Sequence, residues 1–402
     1  MIRPLIVTWL LVLGTTAGCR TAVGPQSAPR TVDFSRGAHA SPTRAVRPLH
    51  KGHMDVSTGL YIREDDDLIV GTPLPLVLRR TYLSGDRRSR HFGVGTTHPG
   101  EWYLYGDSDP RVPWAELIRA DGSRIHFTRI STGVSQADAV LQHEGATEFN
   151  GALLTWSGTH WLMRLRDGTE ARFLDCEGEH QVCSLVEQSD PSGNRIAYIR
   201  DQSGRLVRID SAGQSIAFDY DDSGRIAEAY DSSRHRVSYA YDERGRLTRA
   251  TGFDGMVREF SYNDRDEMIE VREPGRIVSN QFDAAGRLAR QVVTFPDSDP
   301  YIMTFAYRLD RATVVETDVG EDDGTRTVYR FNQNHGVVSE ISDADGAAPI
   351  ALTYQRTDSD IVTAVTLSCL GRTGPVSRTV AAASPLDDRA RDELVRAECV
   401  SR

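Results

Sequence analysis

A short pattern recurs between residues 190 and 293 and restricts the folds open to this chain. Four of the five copies have an aromatic or acidic start, a polar turn, a Gly-Arg pair and then a large apolar residue, and the fourth copy has Asp266-Glu267 in place of Gly-Arg. The turn position is filled in succession by Gly204, Gly224, Gly245, Asp266 and Gly286, at intervals of 20 or 21 residues. A fixed period of this length is typical of stacked supersecondary units, none of which can bury an apolar face alone.

The residues between the turns alternate with the period of a β-strand. In segment 214–220, Ile216, Phe218 and Tyr220 fall on one face, and segments 235–241 and 257–262 repeat the pattern. Consecutive units are therefore predicted to form a continuous antiparallel sheet in which Tyr and Phe stack as a ladder. We expect the turn glycine to supply a positive φ and the following Arg to bind turn carboxylates of its own or a neighbouring unit.

The remaining sequence also favours β structure. Segment 50–190 shows no helical apolar period, and Asp121-Gly122 and Asp167-Gly168 each precede an alternating stretch, as hairpin turns do. The formal net charge of −10 argues against nucleic acid or an anionic membrane surface as the main partner. The predicted fold class is all-β, with an N-terminal β domain, a curved antiparallel sheet of hairpins and a short C-terminal helix at 384–399.

Two segments resemble the Rhs and YD-repeat family. Segments 55–60, 75–82 and 92–95 are similar to the N-terminal domain that precedes the repeats in Rhs proteins of polymorphic toxin systems, and pairs such as Tyr220-Asp221 resemble the YD motif. The resemblance implies a sheet that spirals into a shell, although closing around a cargo requires many more repeats than these. The predicted divisions are 1–18 signal peptide, 19–49 flexible tether, 50–188 N-terminal domain, 189–370 repeat sheet and 371–402 tail.

The start of the chain resembles a bacterial lipoprotein signal. An apolar run from Leu5 to Leu13 is too short to span a bilayer, and small residues precede Cys19. The resemblance implies lipidation of Cys19. Arg20 would then fit sorting to the outer membrane of a Gram-negative bacterium, and ordinary secretion or a periplasmic location is the alternative. Export also permits disulfides, for which Cys176 with Cys183 and Cys369 with Cys399 are the candidates; buried free thiols are the alternative.

Several motifs contain residue types that could support catalysis or ion binding. Asp190-Pro191-Ser192-Gly193 matches the core of the Rhs autoproteolysis motif but lacks its flanking residues, so a turn is favoured. His50 and His53 are predicted to be solvated. The acidic run 64–67 is predicted to be edge-strand charge, with Ca²⁺ binding as the alternative. The basic run 87–90 is predicted to be a solvated loop, with binding of lipopolysaccharide phosphate as the alternative. No metal site, no cofactor and no enzymatic activity are predicted.

Two functions remain open at this stage. The first is a non-enzymatic cell-envelope structural or binding module that contacts carbohydrate or a protein. The second is a truncated delivery or encapsulation component of a polymorphic toxin system. The resemblance implies that exposed repeat side chains would bind a sugar, although packing of any single Tyr in the ladder is the alternative. The candidate binding residues are Tyr220, Tyr239, Tyr241, Tyr262, Arg225 and Arg246.

Overall fold

The structure, a computed structural model, describes residues 47–71, 75–106, 109, 111–145, 147–176, 182–346, 349–357, 362–369, 376–381 and 399. These ranges contain strands β1 to β32 and two short 3₁₀ helices, Pro99–Glu101 and Gln136–Asp138, which confirms the all-β prediction. None of the helices in these ranges has the length and apolar character needed to cross a membrane. Cys19 and all but the last residue of the predicted helix at 384–399 lie outside the described residues.

The strand bounds are β1 Leu49–His50, β2 Met54–Asp55, β3 Leu60–Val70, β4 Leu76–Leu83, β5 Ser89–Arg90, β6 Gly93–Val94, β7 Thr96–Thr97, β8 Tyr103–Gly106, β9 Trp114–Ile118, β10 Arg124–Arg129, β11 Val140–Gln142, β12 Leu153–Trp156, β13 Trp161–Arg164, β14 Glu170–Phe173, β15 Val182–Ser189, β16 Arg195–Arg200, β17 Leu206–Ser211, β18 Gln214–Tyr220, β19 Ile226–Asp231, β20 Arg236–Tyr241, β21 Leu247–Thr251, β22 Val257–Tyr262, β23 Met268–Glu273, β24 Arg276–Phe282, β25 Leu288–Phe295, β26 Ser298–Asp310, β27 Thr313–Glu321, β28 Arg326–Phe331, β29 Val337–Ser342, β30 Ile350–Arg356, β31 Val362–Cys369 and β32 Val376–Ala381.

The strands form one small sheet and one very long one, besides the β5–β6 pair. The small N-terminal sheet has the order β1-β2-β3-β4-β7. In the long sheet each strand from β8 to β32 pairs antiparallel with the next, and β8 also pairs with β15, which closes the first eight of these strands into a ring. Within β15, residues 182–184 pair with β8 and residues 187–189 pair with β16. The predicted boundary near residue 188 therefore falls inside the strand that links the ring to the repeats.

The hairpins of the repeats follow from their turn chemistry. In the second copy the Gly224 N–H donates to the Asp221 carbonyl at 2.9 Å, Gly224 has φ +76°, and the ladder shifts register between Asp219 and Tyr220. This is a tight turn followed by a left-handed residue and a β-bulge, the arrangement that a glycine in that position favours. The predicted strand 214–220 matches β18, and β20 begins one residue later than predicted.

The N-terminal sheet packs against one face of the repeats, here called the covered face, which carries Ile216, Phe218, Tyr239 and Phe260. A single apolar cluster extends from the N-terminal sheet through the ring and into the repeats. The hydrogen-bond ladder between strands is interrupted at each bulge. At three of the turns, a residue of the N-terminal region accepts a hydrogen bond from the backbone N–H group that follows the bulge. The N–H groups of Ile226, Met268 and Leu288 donate to the His91 carbonyl (2.8 Å), the Tyr82 hydroxyl (2.9 Å) and the Gly59 carbonyl (2.8 Å).

Candidate functional site

Three of the predicted binding tyrosines connect neighbouring repeats. Their hydroxyls donate to backbone carbonyls of the preceding hairpin: Tyr220 to Leu206 at 2.6 Å, Tyr241 to Ile226 at 2.6 Å and Tyr262 to Leu247 at 2.8 Å. Each acceptor stands two residues after a turn glycine. These side chains are only partly exposed and pack against the main core. The ladder, the alternative to sugar binding, therefore accounts for their contacts.

The fifth repeat keeps this contact although its aromatic residue cannot donate. Phe282 occupies the tyrosine position and has no hydroxyl. The buried side chain of Asn280 donates instead to the Met268 carbonyl at 3.0 Å, and Gln291 in turn donates to the Asn280 amide oxygen at 2.9 Å. The carbonyl after the fourth turn thus finds a donor from a different position, as a polar group in a buried environment requires.

Tyr239 lies deeper than the other predicted tyrosines. It is buried, and its hydroxyl donates to the Asp67 carboxylate of β3 at 2.7 Å. The ring of Phe92 meets the Tyr239 ring edge-on with 5.0 Å between centroids. Tyr239 therefore joins the repeats to the N-terminal sheet and is not available to a ligand outside.

The arginines of the turns bind as the repeat pattern predicts. Arg225 and Arg246 donate through Nε to Asp221 and Asp242 at 2.8 and 2.7 Å, and the same contact recurs in other copies. Arg246 also donates to the Asn263 carbonyl of the next repeat at 2.8 Å. Each guanidinium lies over the tyrosine of the following copy, 4.6 Å from the Tyr241 ring centre for Arg225. The expectation that these arginines bind turn carboxylates is confirmed.

We expect Tyr241→Phe to lower the free energy of unfolding by about 1 kcal/mol, because one intramolecular hydrogen bond is lost while the ring keeps its packing. Urea denaturation monitored by circular dichroism measures this change. Thr248→Val, which removes an exposed hydroxyl bound to the Ala240 carbonyl at 3.1 Å, is the control and is expected to change stability less. Equal effects of the two variants would contradict a structural role for the Tyr241 hydroxyl.

A buried charge cluster lies between β3, β4 and the repeats. Arg80 pairs with Asp67 and lies 3.6 Å from Asp65, while Arg63 pairs with Asp65 at 2.7 Å and Glu273 at 2.8 Å. Burial alone would raise the pKa of Asp65, but the charges of Arg80 and Arg63 outweigh it and lower the pKa. The prediction of edge-strand charges at 64–67 is wrong for Asp65 and Asp67, because tertiary packing gives them buried cationic partners.

The predicted solvation of His50 and His53 is also wrong. His50 is buried, and its Nδ1 lies 3.0 Å from the Tyr329 hydroxyl. His53 contacts the Gln291 side chain at 2.8 Å. Burial lowers the pKa of His50 to about 4 and lowers the pKa of His53. Both residues lie where the β1–β2 hairpin meets the repeats, a contact that their position in the sequence does not reveal.

The basic run 87–90 does not form a free cationic loop. Arg88 and Arg90 are mostly buried and pair with the buried Asp86 at 2.9 and 2.8 Å. Burial would raise the pKa of Asp86, but the charges of Arg90 and Arg88 and their hydrogen bonds lower it to about 2. Of the three arginines, Arg87 is the one with an exposed side chain. The structure therefore leaves little of this run for binding phosphate groups.

The Asp86 pair predicts a loss of stability in acid. The pKa of this carboxyl falls from 3.8 to about 2 on folding, which corresponds to about 2 kcal/mol of stability. Because the folded pKa is the lower one, this contribution is present above pH 4 and is lost as the pH falls toward 2. Asp86→Asn is expected to reduce stability at pH 7 and to flatten its decline below pH 4, as measured by urea denaturation across pH. The exposed Asp222→Asn is the control, and an unchanged pH profile in Asp86→Asn would contradict the assignment.

The structure shows a turn at residues 190–193 and two disulfides. The Asp190-Pro191-Ser192-Gly193 segment is a turn in which the Gly193 N–H donates to the Asp190 carbonyl at 3.0 Å. The Asp190 carboxylate accepts hydrogen bonds from the Asn194 backbone N–H at 2.9 Å and from the Asn194 side-chain amide at 2.7 Å. Disulfides join Cys176 to Cys183 and Cys369 to Cys399. The first links the segment after β14 to β15, and the second links Cys399 to β31.

A cluster of His91, His98 and Glu101 was missed by the sequence analysis. The potential ligand atoms of the three residues lie within 4.8 Å of one another. His91 Nδ1 is 2.9 Å from the Glu101 carboxylate, and His98 Nε2 is 3.9 Å from it. His98 precedes the first 3₁₀ helix, and its Nδ1 accepts from the Gly100 N–H at 3.2 Å. A local signal existed in His98-Pro99-Gly100-Glu101, which places two potential ligands three residues apart at a helix start.

The electrostatics of this cluster are set by burial. The His98 ring is fully buried, which lowers its pKa to about 4. Burial would raise the pKa of Glu101, but the hydrogen bond from His91 and the neighbouring charges lower it. Arg90 lies 3.9 Å from the carboxylate, and Arg200 donates to the Gly100 carbonyl at 2.7 Å. Near neutral pH the cluster therefore combines a carboxylate with a neutral His98.

Comparison with known families decides the family. The RHS Repeat model matches residues 220–255, within the periodic segment. The model described as Domain of unknown function (DUF6531) matches residues 52–127, within the predicted N-terminal domain. The chain is an Rhs/YD-repeat protein. The predicted family is thereby confirmed.

A curated relative of this Rhs/YD-repeat protein is "Double-stranded DNA deaminase toxin A" of Burkholderia cenocepacia (strain H111). The two are 27% identical over 190 residues, which is 46% of this chain and 11% of the relative. The chain thus spans about a tenth of the length of the curated relative that it matches.

Solved structures also show similarity. The "Crystal Structure of TcdB2-TccC3-TEV" has a TM-score of 0.40 at 10% identity, over 82% of this chain and 20% of that chain. A Photorhabdus luminescens Tc holotoxin pore has a TM-score of 0.29 at 11% identity, over 81% of this chain and 25% of that one.

Proposed function

We propose that this Rhs/YD-repeat protein is a non-enzymatic structural and binding module of the bacterial cell envelope that contacts a protein. The observation that carries the proposal is the occupation of the covered face by the N-terminal sheet of the same chain. His91, Tyr82 and Gly59 bind backbone groups of the repeats there, and Tyr239 is buried against Phe92. A surface used in this way supports a scaffold and leaves recognition to the opposite face.

The opposite, outward face of the repeats is charged. It carries cross-strand pairs such as Arg249 with Glu259 at 2.6 Å and Arg236 with Glu228, and many of these side chains are exposed. The aromatic residues of β18, β20 and β22 belong instead to the covered face, where sugars could not stack on them. Alternating charges of both signs are suited to a protein surface of complementary pattern, since such pairs give specificity more than raw affinity.

Photo-cross-linking in cells tests this proposal. A cross-linking amino acid at position 249 should capture one defined protein, while the same group at the exposed position 164 of β13 should not. Arg236→Glu should then weaken the captured complex in a purified binding assay. If neither position yields a product and a glycan array shows saturable binding, carbohydrate contact replaces the proposal. An absence of both would sink the binding role.

The proposal includes an anchor at Cys19. The apolar run Leu5–Leu13 and the small residues before Cys19 support processing as a lipoprotein. Metabolic labelling with a fatty-acid analogue should mark the wild-type chain and leave Cys19→Ser unlabelled. A labelled Cys19→Ser variant, or an unlabelled wild-type chain that is still exported, would favour ordinary secretion.

A second candidate is a delivery or encapsulation component of a toxin system. It is favoured by the 27% identity with a relative named as a DNA deaminase toxin. In that case the partner captured from position 249 would be a toxin or its immunity protein encoded by a neighbouring gene. Capture of an unrelated envelope protein would exclude this candidate.

A further inference from the structure

The cluster of His91, His98 and Glu101 contains buried polar atoms without hydrogen-bond partners in the described part of the chain. His98 Nε2 and Glu101 Oε2 are both fully enclosed and make no hydrogen bond, although Oε2 lies 3.9 Å from a guanidinium nitrogen of Arg90. The His98 ring itself is 0% exposed and directs Nε2 toward the Glu101 carboxylate, at a distance too long for a hydrogen bond. Buried polar atoms without hydrogen bonds are rare in native proteins, so an arrangement of this kind requires a reason.

We propose that His91, His98 and Glu101 bind a divalent transition-metal ion, with Zn²⁺ as the best chemical match. Two imidazole nitrogens and one carboxylate oxygen are a ligand set that zinc accepts, with a fourth position open to water. Calcium and magnesium prefer oxygen ligands and do not suit a site with two imidazoles.

The spacing of the ligand atoms suits such an ion. Tetrahedral coordination at zinc–ligand distances of about 2.1 Å places ligand atoms about 3.4 Å apart. The carboxylate lies 2.9 Å from His91 Nδ1 and 3.9 Å from His98 Nε2, values on either side of that separation. The His91 side chain is 27% exposed, which gives an ion a route to the otherwise buried site.

Two features oppose Zn²⁺ binding: the loss of one hydrogen bond to His98 and the positive charge of nearby arginines. Coordination by His98 Nε2 moves the imidazole proton to Nδ1, which breaks one hydrogen bond, the 3.2 Å bond from the Gly100 N–H. Arg90 and Arg200 add positive charge, but Asp86 pairs with Arg90 at 2.8 Å. Metal binding releases protons and favours deprotonated ligands, and the Glu101 carboxylate and the neutral His98 already meet that requirement.

The position of the ligands indicates a structural clip. The His91 carbonyl accepts from the Ile226 N–H of the second repeat, and the His91 ring meets the Tyr220 ring at 5.6 Å. The His98 ring lies 6.0 Å from the Phe218 ring of the same repeat. An ion held by residues 91, 98 and 101 would fix this part of the N-terminal region against the first repeats. The site adds to the scaffold role and is independent of the outward face.

Metal titration of the full chain, purified without a polyhistidine tag and stripped with a chelator, tests the proposal. We expect one equivalent of Zn²⁺ to bind and to raise the melting temperature, whereas Ca²⁺ at the same concentration should do neither. His91→Gln keeps a hydrogen-bond donor near Glu101 and should weaken Zn²⁺ binding at least tenfold. His126→Gln is the control, since His126 is an exposed histidine 3.6 Å from Glu116.

The outcomes separate a metal site from a simple ion-pair cluster. Stoichiometric Zn²⁺ binding that survives in His126→Gln and is lost in His91→Gln supports the site. Binding that is equal in wild type and His91→Gln, or no binding at one equivalent in the folded wild type, overturns it. Circular dichroism of each metal-free variant confirms folding, so that a loss of binding is not a loss of structure.

Discussion

Replacing Arg80 by alanine is expected to lower the free energy of unfolding by about 3–5 kcal/mol, because the change leaves buried carboxylates without their cation. Arg80 is 3% exposed and pairs with Asp67, whose carboxylate also accepts from the Tyr239 hydroxyl at 2.7 Å. The guanidinium also lies 5.6 Å from the Tyr239 ring centre and 5.5 Å from that of Phe260. The variant therefore disrupts the contact between the N-terminal sheet and two repeats at once.

The neighbouring arginine provides a matched control. Arg79 lies next to Arg80 on β4, but its side chain is 43% exposed and pairs with Asp66 at 2.6 Å on the solvent side. Exposed ion pairs contribute about 0–1 kcal/mol, so Arg79→Ala should have a small effect. Urea denaturation of both variants measures the difference. Similar losses for Arg79→Ala and Arg80→Ala would show that the buried cluster does not hold the N-terminal sheet to the repeats.

The second large effect is expected at Gly93, where the N-terminal region touches the third repeat turn. Gly93 has φ +85°, and an added Cβ would overlap the Gly245 carbonyl oxygen and lie 3.2 Å from the Tyr241 ring. The same carbonyl accepts from the Val94 N–H at 3.0 Å. A left-handed conformation costs a non-glycine residue about 1–2 kcal/mol, and overpacking adds about 1–3 kcal/mol. Gly93→Ala should therefore destabilise the fold by about 2–5 kcal/mol.

Gly224→Ala separates the two contributions. Gly224 has a similar φ of +76°, but no atom lies within 4 Å of an added Cβ. Its alanine variant should pay the conformational cost alone, about 1–2 kcal/mol. Thermal or urea unfolding of the two variants gives the comparison. If Gly93→Ala lowers the free energy of unfolding no more than Gly224→Ala does, the loop that contains Gly93 can move away from the third repeat turn at little cost.

The local structure of the repeats was largely predictable from sequence. The period, the turn glycines and the alternation determine a strand–turn–strand unit, because each turn needs a residue with positive φ and each strand has a period of two. The contact of Arg225 with Asp221 was predictable for the same reason, since four residues across a tight turn bring the two side chains together. The Tyr ladder could be anticipated as one of two alternatives, but its hydroxyl acceptors could not.

The tertiary structure alone decided what covers the repeats and what the candidate site contains. The Tyr82 hydroxyl accepts from the Met268 N–H, and the Asp67 carboxylate accepts from the Tyr239 hydroxyl. The partners in each contact are far apart in sequence, and no local pattern predicts that they meet. The acidic run 64–67 and the histidines therefore looked solvated in the sequence. The sequence determined the repeating unit because the interactions that form it are local. The tertiary structure decided which side chains are buried and what they contact, because this depends on which segments, distant in sequence, pack against each other.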